Sequence, residues 1–199
     1  MENRLTHVYF VRHAQPNNRN HDETARELTE KGMCDRALVT AFLADKQVDA
    51  VLSSPYKRAV DTVAHYAQAH GMEIKMMDGF RERRVDGGWI DDFEAFVRRQ
   101  WADFDFGRRN GETLREVQMR CVAALEQVLC DYAGKTVVVG AHGTALSCTV
   151  NHYQPSFGVE DFMRIVELTP WVVHFAFDGK DCAGIEEYDL FTGTARNVL

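Results

Sequence analysis

Val8-Tyr9-Phe10-Val11-Arg12-His13-Ala14 decides the fold. A run of apolar, strand-forming residues ends abruptly in an arginine and a histidine, so a buried strand carries two chemical groups to the rim of a sheet. That rim is where open α/β sheets bind ligands. Imidazole is partly neutral near pH 7 and can attack phosphorus, while a guanidinium offers phosphate oxygens a planar fork of donors. The pair alone reads sooner as a strand-end histidine and arginine making ordinary surface contacts, so the rest of the chain has to supply its partners.

A second strand supplies one. Thr136-Val137-Val138-Val139-Gly140-Ala141 is continuously apolar, as a strand buried on both faces should be, and it ends in His142-Gly143-Thr144. Between the two, Ala50-Val51-Leu52-Ser53 is a short buried strand leading into Ser54-Pro55-Tyr56-Lys57-Arg58-Ala59. Proline suits the first turn of a helix, which puts Arg58 near a helix N-terminus, where backbone donors and dipole favour an anion. A third strand is expected at Glu73 to Met77, followed by Gly79-Phe80-Arg81-Glu82-Arg83-Arg84. Glu82 can serve as general acid and base if burial or a bound phosphate keeps a proton on it among the arginines. Most such glutamates are simply paired.

Helices are expected from about Glu30 to Ala44, capped by Thr29 with Met33, Ala37, Ala41 and Ala44 on the inner face, and after Gly111. The latter repeats Leu114, Val117, Cys121, Val122, Leu125, Val128 and Leu129 at helical spacing behind a Thr113/Glu116 capping box, and reads as core. Gln15 to Arg26 is a polar loop leaving the strand that holds His13, placed to act as a lid. Val85 to Asn110 reads as irregular chain with short helices, in which Trp89 is given no catalytic part and Arg98 and Arg99 are candidates for an anionic substrate tail. A short helix around Gly158 to Ile165, a strand at Trp171 to Phe177 and a final strand near Ile185 to Tyr188 complete the pattern. His174, within an apolar run, reads as a hydrogen-bonded structural residue.

The 199 residues suffice for one core, and a single domain over 1–199 is expected. A net charge of −7 and an isoelectric point near 5.6 argue against nucleic acid or an anionic membrane as partner. Yet Arg81 to Arg120 holds nine arginines, no lysine and nine acidic residues, compatible with a fixed network around an anion or with a salt-bridged surface. The five cysteines are odd in number and show no metal-ligand spacing; they read as reduced and mostly buried. No apolar leader precedes the first strand, so a cytoplasmic protein is expected.

Taken together, Val11-Arg12-His13-Ala14, Leu28-Thr29-Glu30-Lys31-Gly32, Ser53-Ser54-Pro55-Tyr56-Lys57-Arg58-Ala59 with Thr62, Glu82, Gly111-Glu112-Thr113 and Ala141-His142-Gly143 resemble the histidine phosphatase superfamily, which includes the cofactor-dependent phosphoglycerate mutases. The pieces are individually common; their order and spacing are specific. The resemblance implies a three-layer α/β/α sandwich with a mainly parallel sheet. It implies that His13 becomes phosphorylated, that Arg12, Arg58 and His142 hold the phosphoryl oxygens, and that Glu82 moves the proton, with no metal and no cofactor. Asn18, Arg98, Arg99 and Thr144 are the candidates for substrate contact. The chain departs from the family at Ala14, where glycine is common, and at Pro16 and Arg19, where relatives bring serine and asparagine; Asn17, Asn18 or Arg19 could substitute. The short chain favours a phosphatase acting on a small phosphorylated substrate. Alternatives are a phosphoglycerate mutase, for which Arg98-Arg99 would take the substrate carboxylate, and a non-catalytic phosphate-binding module. A homodimer is compatible with the sequence.

Overall fold

The computed structural model describes residues 5–86, 90 and 92–199; Gly87, Gly88 and Trp89 lie outside them. The chain runs β1 (Thr6–Arg12), α1 (Glu30–Leu43), β2 (Ala50–Ser53), α2 (Lys57–Ala69), β3 (Ile74–Met76), a 3₁₀ turn (Asp78–Phe80), α3 (Phe93–Ala102), α4 (Leu114–Asp131), β4 (Thr136–Ala141), α5 (Gly143–Tyr153), α6 (Val159–Ile165), β5 (Trp171–Asp178), β6 (Asp181–Asp189) and β7 (Thr194–Asn197). One sheet has the order β3-β2-β4-β1-β5-β6-β7. The strands β3, β2, β4 and β1 pair in parallel, and β5, β6 and β7 extend that block antiparallel.

Alternation along β1 sorts the two faces. Val8 and Phe10 pack with Leu125, Val128, Leu129, Leu146 and Phe162 on the side of α4, α5 and α6. Tyr9 and Val11 pack with Val39, Leu43, Val63 and Tyr66 on the side of α1 and α2. Helices therefore cover both faces, and β1 and β4 run side by side through the middle with His7 opposite Thr136 and Arg12 opposite Ala141. That register brings both strands to the same rim at their carboxyl ends.

Several local expectations are met. Thr29 caps α1 by accepting from Gly32 N, and Thr113 with Glu116 closes a reciprocal capping box on α4. His174 lies 2.9 Å from His7 through Nε2 and stacks on Tyr9. Three expectations need correction. The inner face of α1 is Gly32, Val39 and Leu43, whereas Met33, Ala37, Ala41 and Ala44 are exposed; the larger Val39 and Leu43 decide the orientation because they remove more apolar area from water. The chain does not end its sheet at Tyr188, since β7 adds an exposed edge strand. Of the cysteines, Cys121 and Cys148 are buried but Cys34 and Cys130 are exposed. Among the described residues, no helix is long and apolar enough to cross a membrane.

Candidate active site

The two histidines expected at strand ends meet. His13 follows β1 and His142 follows β4, their ring centroids stand 5.3 Å apart, and both are buried. A main-chain bond from His13 N to Ala141 O, 3.1 Å, fixes one strand end against the other. His13 Nδ1 is 2.8 Å from its neighbour's carbonyl, Ala14 O. A carbonyl can only accept, so Nδ1 carries the proton and Nε2 the lone pair. Burial, then the charges of Arg58 and Arg12, hold the imidazole well below its usual value, so it is neutral near pH 7.

Ala14 is accommodated without strain, since its backbone lies outside the left-handed region. Its N–H donates to Thr62 Oγ1 at 3.0 Å, and Thr62 Oγ1 donates to Arg58 O at 2.7 Å. This chain of bonds ties the His13 segment to the first turn of α2.

Arg12 is the most constrained of the cations. Its Nη1 donates to Ile165 O and Leu168 O and its Nη2 to Val166 O, which leaves a buried Nε without a hydrogen-bond partner among the described residues. Burial lowers it to about 10, still charged at neutral pH. Gly143 lies against this guanidinium: a Cβ there would come within 3.1 to 3.2 Å of Arg12 Cζ, Nε and Nη2. His142 bonds through Nε2 to Ser54 Oγ at 2.7 Å, and its buried Nδ1 is also without a partner among the described residues. Burial first, then Arg58 and His13, keep it neutral as well.

Arg58, in the first turn of α2, is 2% exposed. Its Nη1 donates to Glu23 O at 2.6 Å and its Nη2 to Glu23 Oε2 at 2.9 Å. Glu82 lies across the N-terminus of α5: Oε2 accepts from Thr144 N at 3.0 Å, while Oε1 accepts from Ala145 N at 3.2 Å and Arg83 N at 2.7 Å. A carboxylate satisfies the free N–H groups that a helix end would otherwise leave open.

The segment bearing Glu82 is held from behind by Glu112, the acid of the Gly111-Glu112-Thr113 motif. Glu112 accepts from Arg81 Nη1 at 2.5 Å and Nη2 at 2.8 Å, from Arg120 Nε at 2.8 Å and from Arg84 N at 2.8 Å. Burial raises this carboxyl, but the arginines and the Arg84 N–H outweigh it and bring it down to about 2. Arg120 also donates to the carbonyls of Gly79, Arg81 and Glu82. Part of the arginine-rich stretch is thus a scaffold for one glutamate.

The substrate candidates are placed less uniformly. Thr144 meets Glu82 through its backbone N–H. Asn18 is exposed on the loop. Arg98 pairs at the surface with Glu94 at 2.9 Å and Glu160 at 2.6 Å, and Arg99 lies 3.8 Å over the ring of Phe106. Among the described residues neither arginine bonds to a member of the His13 cluster. Two residues that the sequence did not mark are there instead. Arg26 is buried and shares Glu23 with Arg58, its Nη2 lying 2.7 Å from Glu23 Oε1. Arg83 is buried against Phe96, bonded through Nη1 to Gln100 Oε1, with an unpartnered Nε. Loop cations without periodicity carry no signal that separates them from surface charge, and adjacency to Glu82 was the only clue to Arg83.

Comparison with known proteins finds relatives of this chain. The chain is 29% identical over 151 residues to an uncharacterized protein of Mycobacterium tuberculosis, covering 69% of this chain and 73% of that one. It is 28% identical over 153 residues to phosphoserine phosphatase 1 of Hydrogenobacter thermophilus, covering 69% and 71%. A mycobacterial glucosyl-3-phosphoglycerate phosphatase structure superposes with a TM-score of 0.72 at 17% identity, covering 98% of this chain and 97% of the other. Residues 8–182 match the family model of the histidine phosphatase superfamily (branch 1). The chain belongs to the histidine phosphatase superfamily.

Proposed function

We propose that this protein hydrolyses phosphomonoesters through a phosphohistidine on His13. The carrying observation is a neutral imidazole with its lone pair on Nε2, set beside two buried donors, Arg12 Nε and His142 Nδ1, that have no partner among the described residues. Unpaired buried donors are costly and rare, and a phosphoryl group would satisfy both. Ser54 supports the assignment at His142. When its hydroxyl donates to Nε2, Nδ1 carries the hydrogen and faces the anion as a donor.

Phosphoryl transfer asks mainly for in-line placement and neutralised equatorial oxygens. His13 Nε2 attacks phosphorus, the bond to the ester oxygen breaks, and the protonated Glu82 gives that oxygen its proton. Water then attacks phosphorus, Glu82 takes a proton from it, and the phosphorus–nitrogen bond breaks to release inorganic phosphate. The charge on Arg12 and Arg58 and the His142 donor stabilise both transfers. The arginine pair that a mutase would turn to a substrate carboxylate is committed to Glu94, Glu160 and Phe106, which supports hydrolysis over mutase chemistry.

The test is release of phosphate from a panel of small monoesters, headed by phosphoserine and glucosyl-3-phosphoglycerate because proteins similar to this one bear those names. 3-Phosphoglycerate with its bisphosphate primer is included, and 2-phosphoglycerate is followed alongside. The wild type should release phosphate and form acid-labile phosphohistidine; His13→Ala should lose at least about 10³-fold in turnover, and Glu82→Gln should slow both steps by a comparable factor. Primer-dependent 2-phosphoglycerate with little free phosphate would replace hydrolysis by mutase chemistry. Phosphate binding without any phosphohistidine would reduce the site to a binding pocket.

A further inference from the structure

Glu23 sits where an anion belongs. Both terminal nitrogens of Arg58 are engaged by this one residue, Nη1 through its carbonyl and Nη2 through Oε2, while Oε1 reaches Arg26 Nη2 at 2.7 Å. The two guanidiniums are buried, at 2% and 8% exposure, but the Glu23 side chain between them is 48% exposed. A carboxylate bridging two buried cations has the charge sign and the acceptor geometry of phosphoryl oxygens. If Arg58 is to hold a phosphoryl group, this carboxylate has to leave first.

The surrounding loop is built so that the side chain can leave without the loop collapsing. Asp22 Oδ1 accepts from Thr24 N at 2.9 Å, Thr24 Oγ1 at 2.7 Å and Ala25 N at 3.0 Å, and Arg26 N returns to Asp22 O at 2.8 Å. Glu27 clamps Asn17 Nδ2 at 2.5 Å and Asn20 Nδ2 at 2.8 Å, and Lys57 N donates to Thr24 O at 3.0 Å. Arg26 is anchored independently, its Nε donating to Asn20 O at 2.7 Å. Removing the Glu23 carboxylate therefore frees Arg26 Nη2 while the anchored Nε keeps the guanidinium in place.

We propose that Glu23 is a displaceable internal anion and that Arg26 is a further phosphoryl-binding residue, uncovered when substrate phosphate takes the place of the Glu23 carboxylate between Arg58 and Arg26. This rests on the reading of the site as a phosphoryl-transfer centre. The charge of Arg26 already acts at the reacting atom: after burial, Arg58 and Arg12, it contributes to holding His13 in the neutral form. The exchange also explains how a site with two strongly basic residues stays ordered without a ligand. A doubly charged phosphate competes better for two guanidiniums than one carboxylate does, so displacement favours monoesters over singly charged diesters.

Titration calorimetry with inorganic phosphate on the full chain separates the roles. Glu23→Gln should tighten phosphate binding by about tenfold, because a competing charge-assisted bond is removed. Arg26→Met should loosen it by about tenfold, in the wild type and in the Glu23→Gln background alike. If Arg26 served only to hold Glu23, Arg26→Met would instead tighten binding as Glu23→Gln does; that result, or an unchanged or weaker Glu23→Gln, overturns the proposal. Should Arg26→Met lose its melting transition, Arg26→Lys in the Glu23→Gln background, where no carboxylate is left to hold, takes its place: phosphate binding weaker than in Glu23→Gln alone supports the proposal, and binding equal to it overturns it. Phosphate release from a phosphomonoester is followed with the same proteins: turnover without the affinity gain rejects the displaced anion and leaves the hydrolase standing, whereas absence of turnover in wild type and Glu23→Gln rejects the hydrolase itself.

Discussion

In the proposed hydrolysis, His13 is made a nucleophile by what surrounds it. Because burial and the arginine charges depress it, the acid limb of kcat/KM, which reports the free enzyme, should lie below pH 6.5, with little loss between pH 7 and 6. A pH–rate profile on a phosphomonoester checks this, and a limb centred above 6.5 would contradict the neutral imidazole. Gly143 makes a sharper point. Arg12 cannot retreat from an added Cβ, since three carbonyls hold its Nη atoms, so Gly143→Ala should press on Nε and cost about tenfold in kcat/KM. Its urea midpoint should move little, because the contact is with one guanidinium rather than the core. Both histidines and Arg58 were legible in the sequence because strand ends and a helix start fix where they must be. Arg26 and Glu23 were not, because a polar loop gives no period from which to infer the inward-facing residue.

At the level of elements, Glu112 and the first turn of α4 make contrasting predictions. Glu112 compensates Arg81 and Arg120 in a largely buried network, so Glu112→Gln should destabilise by about 3 kcal/mol, read as a lower urea midpoint at unchanged slope. The same change should lower kcat, since Arg120 holds the carbonyl of Glu82. Thr113→Ala removes only the exposed cap and should cost about 1 kcal/mol with kcat intact. Helix α4 was readable because its apolar stripe and cap agree. Helix α5 offered no stripe: Gly143 to Val150 are all buried, so apolar and small residues occur all round and no face stands out. The inner face of α1 was misread for a related reason, its alanines being able to sit on either side.

The whole molecule carries the same chemistry into its stability. His13 and His142 are depressed in the fold, so the unfolded chain takes up protons near pH 6.5 that the folded one refuses. Their contribution is complete above that value and is lost as pH falls below it. Glu112, brought down to about 2, adds a second loss beginning below the ordinary carboxylate range. Urea midpoints should therefore fall from pH 7 to 5 and again below pH 4, and His142→Asn, in a protein that still folds, should flatten the first decline. The parallel block of the sheet followed from its apolar runs, while the antiparallel extension through β7 did not, because Thr194–Asn197 is exposed throughout and shows no alternation.

Arg12 gives the architecture a temporal meaning. Every group assigned to the phosphoryl chemistry precedes Val150, yet the guanidinium nearest the strand end is seated on the carbonyls of Ile165, Val166 and Leu168. A nascent chain emerging from the ribosome would thus own all its reactive groups long before it could use them. Competence arrives with α6 and the turn into β5, so phosphate capture during synthesis would be a timestamp for the emergence of residues 165 to 168, before the second half of the sheet is made.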